Sequence, residues 1–208
     1  NHGNGVIDGG TGVWFATAPP TGNDNWTDAT GVPAAPWAQS GFAIFTGTAG
    51  TVTVDTSQGA IQTSGMQFMV DGYTVAGDPL TLVSALSTGY ATIRVGDGTA
   101  AGAAMTATIS ANLTGNTALR KEDLGTLVLS GANSYTGLTN IAGGTLQVSA
   151  DANLGAGSSV YIANGSTLKT TASFDTGRAI VLADAAGGTI ETEGSGTTLT
   201  VKIGRAHV

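Results

Sequence analysis

The chain has no cysteine. That excludes a disulfide framework and any thiolate metal site. Histidine is nearly absent too: His2 and His207 sit at the two ends, and no HExxH or other paired spacing occurs. A catalytic triad or an imidazole metal site therefore has little to be built from. Charged residues make up only 10% of the 208, and their balance is acidic, at -7. The one basic pair, Arg120-Lys121, is cancelled by Glu122-Asp123. Such a surface does not neutralise phosphates, so no nucleic-acid partner is expected. No apolar run approaches the roughly 20 residues of a membrane helix. No charged stretch followed by an apolar one marks a signal peptide. Asn1 reads as an internal start, and the chain is expected to be a fragment.

What the sequence has instead is glycine, 33 residues of it, together with much threonine, alanine, valine and leucine. Glycine supplies turns, while threonine and valine favour strands. A short phrase recurs: Gly143-Gly144-Thr145-Leu146, Gly165-Ser166-Thr167-Leu168 and Gly187-Gly188-Thr189-Ile190. Thr145, Thr167 and Thr189 are 22 residues apart in turn, and an earlier copy, Gly125-Thr126-Leu127, lies 19 before Thr145. A repeat of this length with one turn signal per copy marks a solenoid.

Between the turns the apolar residues alternate. Thr51-Val52-Thr53-Val54, Thr106-Ala107-Thr108-Ile109, Thr126-Leu127-Val128-Leu129 and Thr145-Leu146-Gln147-Val148 all show period 2. Shorter runs start at Met66, Leu80, Thr92, Leu138, Ser159, Ala179, Thr189 and Thr198, each followed by Gly, Asn or Asp. No window carries helical spacing. The pattern predicts an all-β chain, a parallel β-helix with two or three short strands per coil. Leu127, Leu129, Leu146, Val148, Val160, Ile162, Leu168, Ile180, Leu182, Ile190, Leu199 and Val201 are expected in the bore, with Thr and Ser facing water. An antiparallel sandwich or barrel is the rival fold. The constant 22-residue step favours the helix.

The repeats are expected over 51–201. Residues 1–50 read as an irregular cap or first coils. They hold all three tryptophans (Trp14, Trp26, Trp37) and four of the five prolines. A solenoid end exposes strand edges and apolar surface, and bulky aromatic side chains cover both. The last seven residues, Lys202–Val208, break the threonine-rich alternation. They correspond to the translation of a short-read sequencing adapter, and 202–208 is read as read-through rather than native sequence.

From Leu124 the chain follows a longer pattern. Gly125, Thr126, Leu127, Leu129, Gly131, Asn133, Tyr135, Thr136 and Gly137, then Gly144, Thr145, Leu146 and Val148, then Leu154 and Gly155, occur in fixed order. This resembles the autotransporter-associated β-strand repeat of bacterial autotransporter passengers, most closely over 124–170. The charged run Arg120–Asp123 departs from the near-neutral stretch usual there. The resemblance implies a right-handed β-helix at the bacterial surface, outer membrane or outside the cell. It also implies a type V secretion passenger whose repeat assists secretion and folding, and an outer-membrane translocator barrel as partner in the intact protein. Host or neighbouring-cell surfaces are further expected partners. On this reading the motif residues are structural, and Asn133 is a turn or stacked amide. The expected role is a non-enzymatic stalk or adhesin scaffold. The alternative is a carbohydrate-binding or polysaccharide-cleaving β-helix; a self-associating module is a third option.

Catalytic chemistry finds few footholds. Asp8-Gly9-Gly10-Thr11-Gly12 is a single copy of a Gly/Asp pattern that needs several copies to hold calcium. Asp24 and Asp28 flank Trp26 as a sugar site would, though the cap role accounts for Trp26 more simply. Glycoside cleavage needs two facing carboxylates. One copy before Glu191 and Glu193 stand Lys169 and Thr171, and Asp175 and Asp184 fall in turns. No catalytic residue, metal or cofactor is expected.

Overall fold

The computed structural model describes residues 7–17, 26, 37–84 and 89–201. The strands run in chain order as β1 Gly12–Phe15, β2 Gly41–Phe45, β3 Thr51–Asp55, β4 Ile61–Phe68, β5 Thr74–Gly77, β6 Leu80–Leu82, β7 Tyr90–Val95, β8 Thr106–Ile109 and β9 Leu113–Thr114. They continue as β10 Ala118–Glu122, β11 Thr126–Leu129, β12 Thr139–Ile141, β13 Thr145–Val148, β14 Ser159–Ile162, β15 Thr167–Thr170, β16 Phe174–Thr176, β17 Ala179–Leu182, β18 Thr189–Thr192 and β19 Leu199–Val201. Two short 3-10 turns, Ala100–Ala104 and Asp151–Leu154, are the only helical pieces among the described residues.

The strands stack as a parallel solenoid of about seven turns. One wall is the eight-stranded sheet β1-β3-β5-β8-β11-β13-β15-β18. A second is the run β4-β7-β10-β12-β14-β17, with β2 added beside β4. A third, less regular side carries β6, paired to the first half of β4, then β9 beside β6, and farther along the pair β16-β19. The register keeps the repeat phrase in line. Thr126 lies beside Thr145, Thr145 beside Thr167 and Thr167 beside Thr189. The rungs therefore match the sequence copies residue for residue, and the antiparallel alternatives are excluded.

Inward columns carry the core. Leu127, Leu146 and Leu168 stack over one another, as do Leu129 and Val148. Each fully buried Leu or Val stabilises by about 1.5–3 kcal/mol. Two expectations fail here. Thr170 continues the Leu129–Val148 column and is fully buried, as are Thr63 and Thr139. Threonine fills a valine-sized hole, so alternation alone does not keep it in water. At the far end Leu182 is 56% and Ile190 43% exposed. They belong to β17 and β18, the last strands of their sheets among the described residues, so no further rung covers them.

The opposite end is closed by rings. Trp14 meets Trp26 and Trp37 at centroid distances of 4.9 and 4.7 Å, edge to face. Phe45 stacks on Phe68 at 4.8 Å. Around these rings, β1 already pairs with β3 as a rung, and β2 with β4, with a register shift between Gly41 and Phe42. Strand β4 serves two sides at once: Ile61–Thr63 pairs with β6, and Gly65–Phe68 pairs with β7. The bend falls at Gly65, where φ is +154° and a Cβ would lie 2.1 Å from the Thr92 carbonyl oxygen. Only glycine lets that strand turn the corner. Residues 202–208 lie outside the described residues.

Candidate functional site

The repeat rung is where the sequence concentrates its special residues. Strand β10 was not legible as a strand because it reads Ala-Leu-Arg-Lys-Glu. It alternates all the same, with Leu119 and Lys121 inward and both fully buried. The Lys121 ammonium donates to the carbonyls of Glu122, Asp123 and Gly143, at 2.8, 2.8 and 3.0 Å. Three donors meet three acceptors at the corner where the chain turns from β10 to β11. Gly143 belongs to the next coil, so the lysine also ties two rungs together. Asp123 occupies a left-handed conformation at φ +62°. Its carboxylate takes both Nε and Nη2 of Arg94 from the preceding rung, at 3.1 and 3.2 Å. Gly144 repeats the corner one coil on, at φ +60°, with no room for a Cβ against the Gly125 carbonyl.

Burial holds Lys121 down to a pKa of about 7, against the pull of the Asp123 and Glu122 charges. The sign follows from linkage. Between about pH 7 and the unfolded value the unfolded chain binds a proton the folded rung resists, so stability rises with pH across that window. We predict that the stability of the wild type minus that of Lys121→Met rises from pH 7 to pH 10, by at most about 1.4 kcal/mol per pH unit. Denaturant melts of both proteins at each pH check this. A difference that stays flat contradicts it.

The third side of the same rungs is an amide and hydroxyl network. Asn133 accepts from the Leu113 backbone N–H at 2.8 Å and donates to the Asn153 carbonyl at 2.6 Å, spanning three successive coils. Asn153 donates to the Gly131 carbonyl and accepts from the N–H groups of Ser149 and Ala150. Such groups are buried, and each is costly if left unpaired. Tyr135 is fully buried. The Thr139 hydroxyl donates to the Leu154 carbonyl, so Tyr135 donates to Thr139, at 2.8 Å. Burial pushes the Tyr135 phenol up to about 12, and it stays protonated. Arg178 closes the network from the following coil. It grips both carboxylate oxygens of Asp151 and the carbonyls of Gly155 and Gly157.

The remaining motif residues take fixed places around this frame. Thr126 and Thr145 face outward in one column, and Leu127, Leu129, Leu146, Val148 and Leu154 are buried. At Gly125, Gly131 and Gly137 a Cβ would meet neighbouring backbone within 2.7 Å. Thr136 is exposed. Lys121, Thr139, Asn153 and Arg178 are members of the site that the motif list lacked.

The chemical candidates do not converge. His2, Asp24 and Asp28 lie outside the described residues. Gly9, within the Asp8–Gly12 stretch, bridges to Thr48 and helps form the wall of a cavity at the aromatic end. Glu191 pairs in register with Lys169, whose ammonium reaches Glu191 at 3.2 Å and Glu193 at 3.5 Å. These carboxylates are bound to a cation rather than facing a second acid. Asp175 and Asp184 are exposed. Among the described residues no group of three or more His, Cys, Asp or Glu side chains is placed to hold a metal.

Comparison with known proteins fits this geometry. The family described as Passenger-associated-transport-repeat matches residues 119–148, the stretch from β10 through β13. The chain is 54% identical over 203 residues, 97% of its length, to the "Adhesin BmaC autotransporter" of Brucella suis biovar 1 (strain 1330). It spans 6% of that relative's length. No solved structure matches it. An autotransporter passenger is displayed on the cell surface or secreted, and a coil held shut by backbone-directed side chains suits that setting. The chain belongs to the autotransporter passengers that carry the passenger-associated transport repeat.

Proposed function

We propose that this chain is a stretch of the stalk of a surface adhesin, a non-enzymatic scaffold that spaces the passenger out from the cell. The observation that carries the reading is the unbroken register of its outer face. Thr106, Thr126, Thr145, Thr167 and Thr189 form one outward column over five successive rungs. Two residues along on the same face stand Thr108, Val128, Gln147, Lys169 and Glu191, and the cations Lys169 on this wall and Arg94 and Arg120 on the neighbouring one are paired with carboxylates. Such a surface is built for stacking and solubility rather than for holding a transition state. The 1–50 segment acts as the cap or first coils, 51–201 as the repeats, and the motif residues as structural ones. The name of the Brucella relative supports the adhesin role.

In the intact protein the partner of export is an outer-membrane translocator barrel. Each coil templates the next as the chain emerges, because a rung contacts only its neighbours. The Lys121, Asn133 and Arg178 bonds make that contact specific.

The test uses the intact protein on its own cells. Removing Thr145–Ser166, one whole coil of 22 residues, brings Thr167 into the place of Thr145 and leaves the column in register. Surface display and adhesion to host cells should both persist. Adhesion lost with display intact would show that this stretch is the binding head, and the stalk reading would fall.

A further inference from the structure

One corner of the solenoid pairs asparagine with glycine. Asn164 is followed by Gly165, as only Asn4 is followed by glycine elsewhere in the chain. The two residues form the turn between β14 and β15. Both have positive φ, +53° at Asn164 and +67° at Gly165, and the Ser166 N–H closes the turn on the Ala163 carbonyl at 3.0 Å. Asparagine is one of the few residues with a side chain that accepts this conformation. Both residues are exposed, and a Cβ at Gly165 would meet nothing within 4 Å. Counted from the repeat phrase, the copies before and after have Ala142 and Ala186 in this place. The repeat itself therefore does not require an amide here.

Neighbouring coils hold both halves of the pair. The Asn164 side-chain amide donates to the Ala142 carbonyl, 22 residues back, at 3.1 Å. The Gly165 N–H donates to the Gly187 carbonyl, one repeat on, at 3.0 Å. Asp184 shapes the loop that presents that carbonyl. Its carboxylate accepts from the N–H groups of Asn164 and Ala186, at 2.8 and 3.0 Å, and its own carbonyl accepts from the Gly187 N–H at 3.0 Å.

We propose that Asn164 is a deamidation site whose reaction is gated by the stacking of the following coil. The Gly165 amide nitrogen loses its proton to solvent base and attacks Cγ of Asn164. A bond forms from that nitrogen to Cγ, the bond from Cγ to Nδ2 breaks, and Nδ2 leaves as ammonia. Water then opens the cyclic imide at either carbonyl, leaving aspartate or its isomer linked through the side chain. Amide and water become acid and ammonia, with no change of oxidation state. Glycine suits the step, because no Cβ shields the attacking nitrogen. In the stacked solenoid the nucleophile is held by Gly187 and the leaving group by Ala142. An N–H held by a carbonyl releases its proton to solvent when the bond opens. The reaction therefore belongs to chains in which the 184–187 loop has come away. Its product opposes restacking: a carboxylate replaces the donor that faced the Ala142 carbonyl, and acceptor then faces acceptor. The inference goes beyond the stalk reading and does not depend on it.

The experiment incubates the 208-residue chain at neutral pH in native buffer and in guanidinium chloride. Peptide mass spectrometry follows the amide-to-acid change at Asn164. The unfolded chain should deamidate there, and the native chain should do so about tenfold more slowly or less, the factor that two ordinary hydrogen bonds supply. Asp184→Ala, at an exposed loop position, should speed the native reaction about fivefold by releasing that loop. Asn164→Asp, which is one of the two products and tolerates the same φ, should lower the denaturant midpoint. Equal rates in native and unfolded chains overturn the proposal, as does an unfolded chain in which Asn164 stays intact. A native rate that Asp184→Ala leaves unchanged also overturns it, and so does a midpoint that Asn164→Asp does not move.

Discussion

Gly155→Val should unfold the third side of its rung and cost the chain about 2–6 kcal/mol of stability, the sum of two separate penalties. The first is conformational. Gly155 sits at φ +74° and ψ -160°, a region that only glycine occupies without strain. The second is steric. A Cβ there would lie 2.6 Å from the ring of Tyr135. That ring cannot step aside, because it is fully buried and its hydroxyl is committed to Thr139. The two origins separate in a double-mutant cycle. Tyr135→Ala alone should cost about 3–5 kcal/mol through the cavity it leaves. With the ring gone the collision goes too, so the double variant should fall short of the sum by about 0.5–3 kcal/mol. Denaturant unfolding of the four proteins measures it. Strict additivity would show that Tyr135 and Gly155 do not touch.

Arg178 should give the second large effect. Its guanidinium binds Asp151 through two nitrogens and reaches the carbonyls of Gly155 and Gly157, which belong to buried residues of the preceding coil. Removing it as Arg178→Ala leaves those acceptors unpaired. The cost of breaking a buried pair is about 3–5 kcal/mol. Asp151 is 39% exposed, so water recovers part of that, and about 2–4 kcal/mol is expected. Arg178→Lys should recover less than half, because an ammonium cannot fork across acceptors on two sides of a planar group. A pH signature goes with it. Burial pushes the Asp151 carboxyl up, but hydrogen bonds from Arg178 and Thr176 and the Arg178 charge outweigh it, and its pKa lies below the usual carboxylate value. The stability it lends is present above about pH 4 and lost as pH falls further. In Arg178→Ala that acid sensitivity should shrink. Equal acid titrations of the two proteins would show that Asp151 draws nothing from the arginine.

The solenoid was legible because its signal is periodic and local. The Thr145, Thr167 and Thr189 phrases are the same strand position on successive rungs, and their spacing becomes register directly. What alternation could not show were polar side chains turned inward. Lys121 reads as a surface charge, yet its acceptors are carbonyls, one of them a full coil away at Gly143. Backbone carbonyls leave no trace in residue type. Thr170 and Thr139 were placed in water for the same reason: a hydroxyl with a neighbouring methyl group suits either side of a strand. Arg178 lay beyond the recognised motif, and only the chain's poverty in charge marked it. A lone arginine in so neutral a sequence has few partners, and its partner Asp151 is 27 residues back. The exposed Leu182 and Ile190 carried the right pattern, and their burial depends on a neighbour that no pattern within them encodes.

The absence of cysteine offers the most direct test of the stacked rungs. Thr145 and Thr167 face each other in adjacent parallel strands, at a spacing of about 4.8 Å, well within disulfide reach. Lys169 is two residues out of step with Thr145, beyond the roughly 7 Å limit for bridging. The measurement introduces cysteine at Thr145 and Thr167 in one protein, and at Thr145 and Lys169 in another, then follows oxidation by mass spectrometry. Rapid closure of the first pair and not the second is the predicted result. Equal closure of both pairs, or closure of the second alone, would contradict a solenoid in this register.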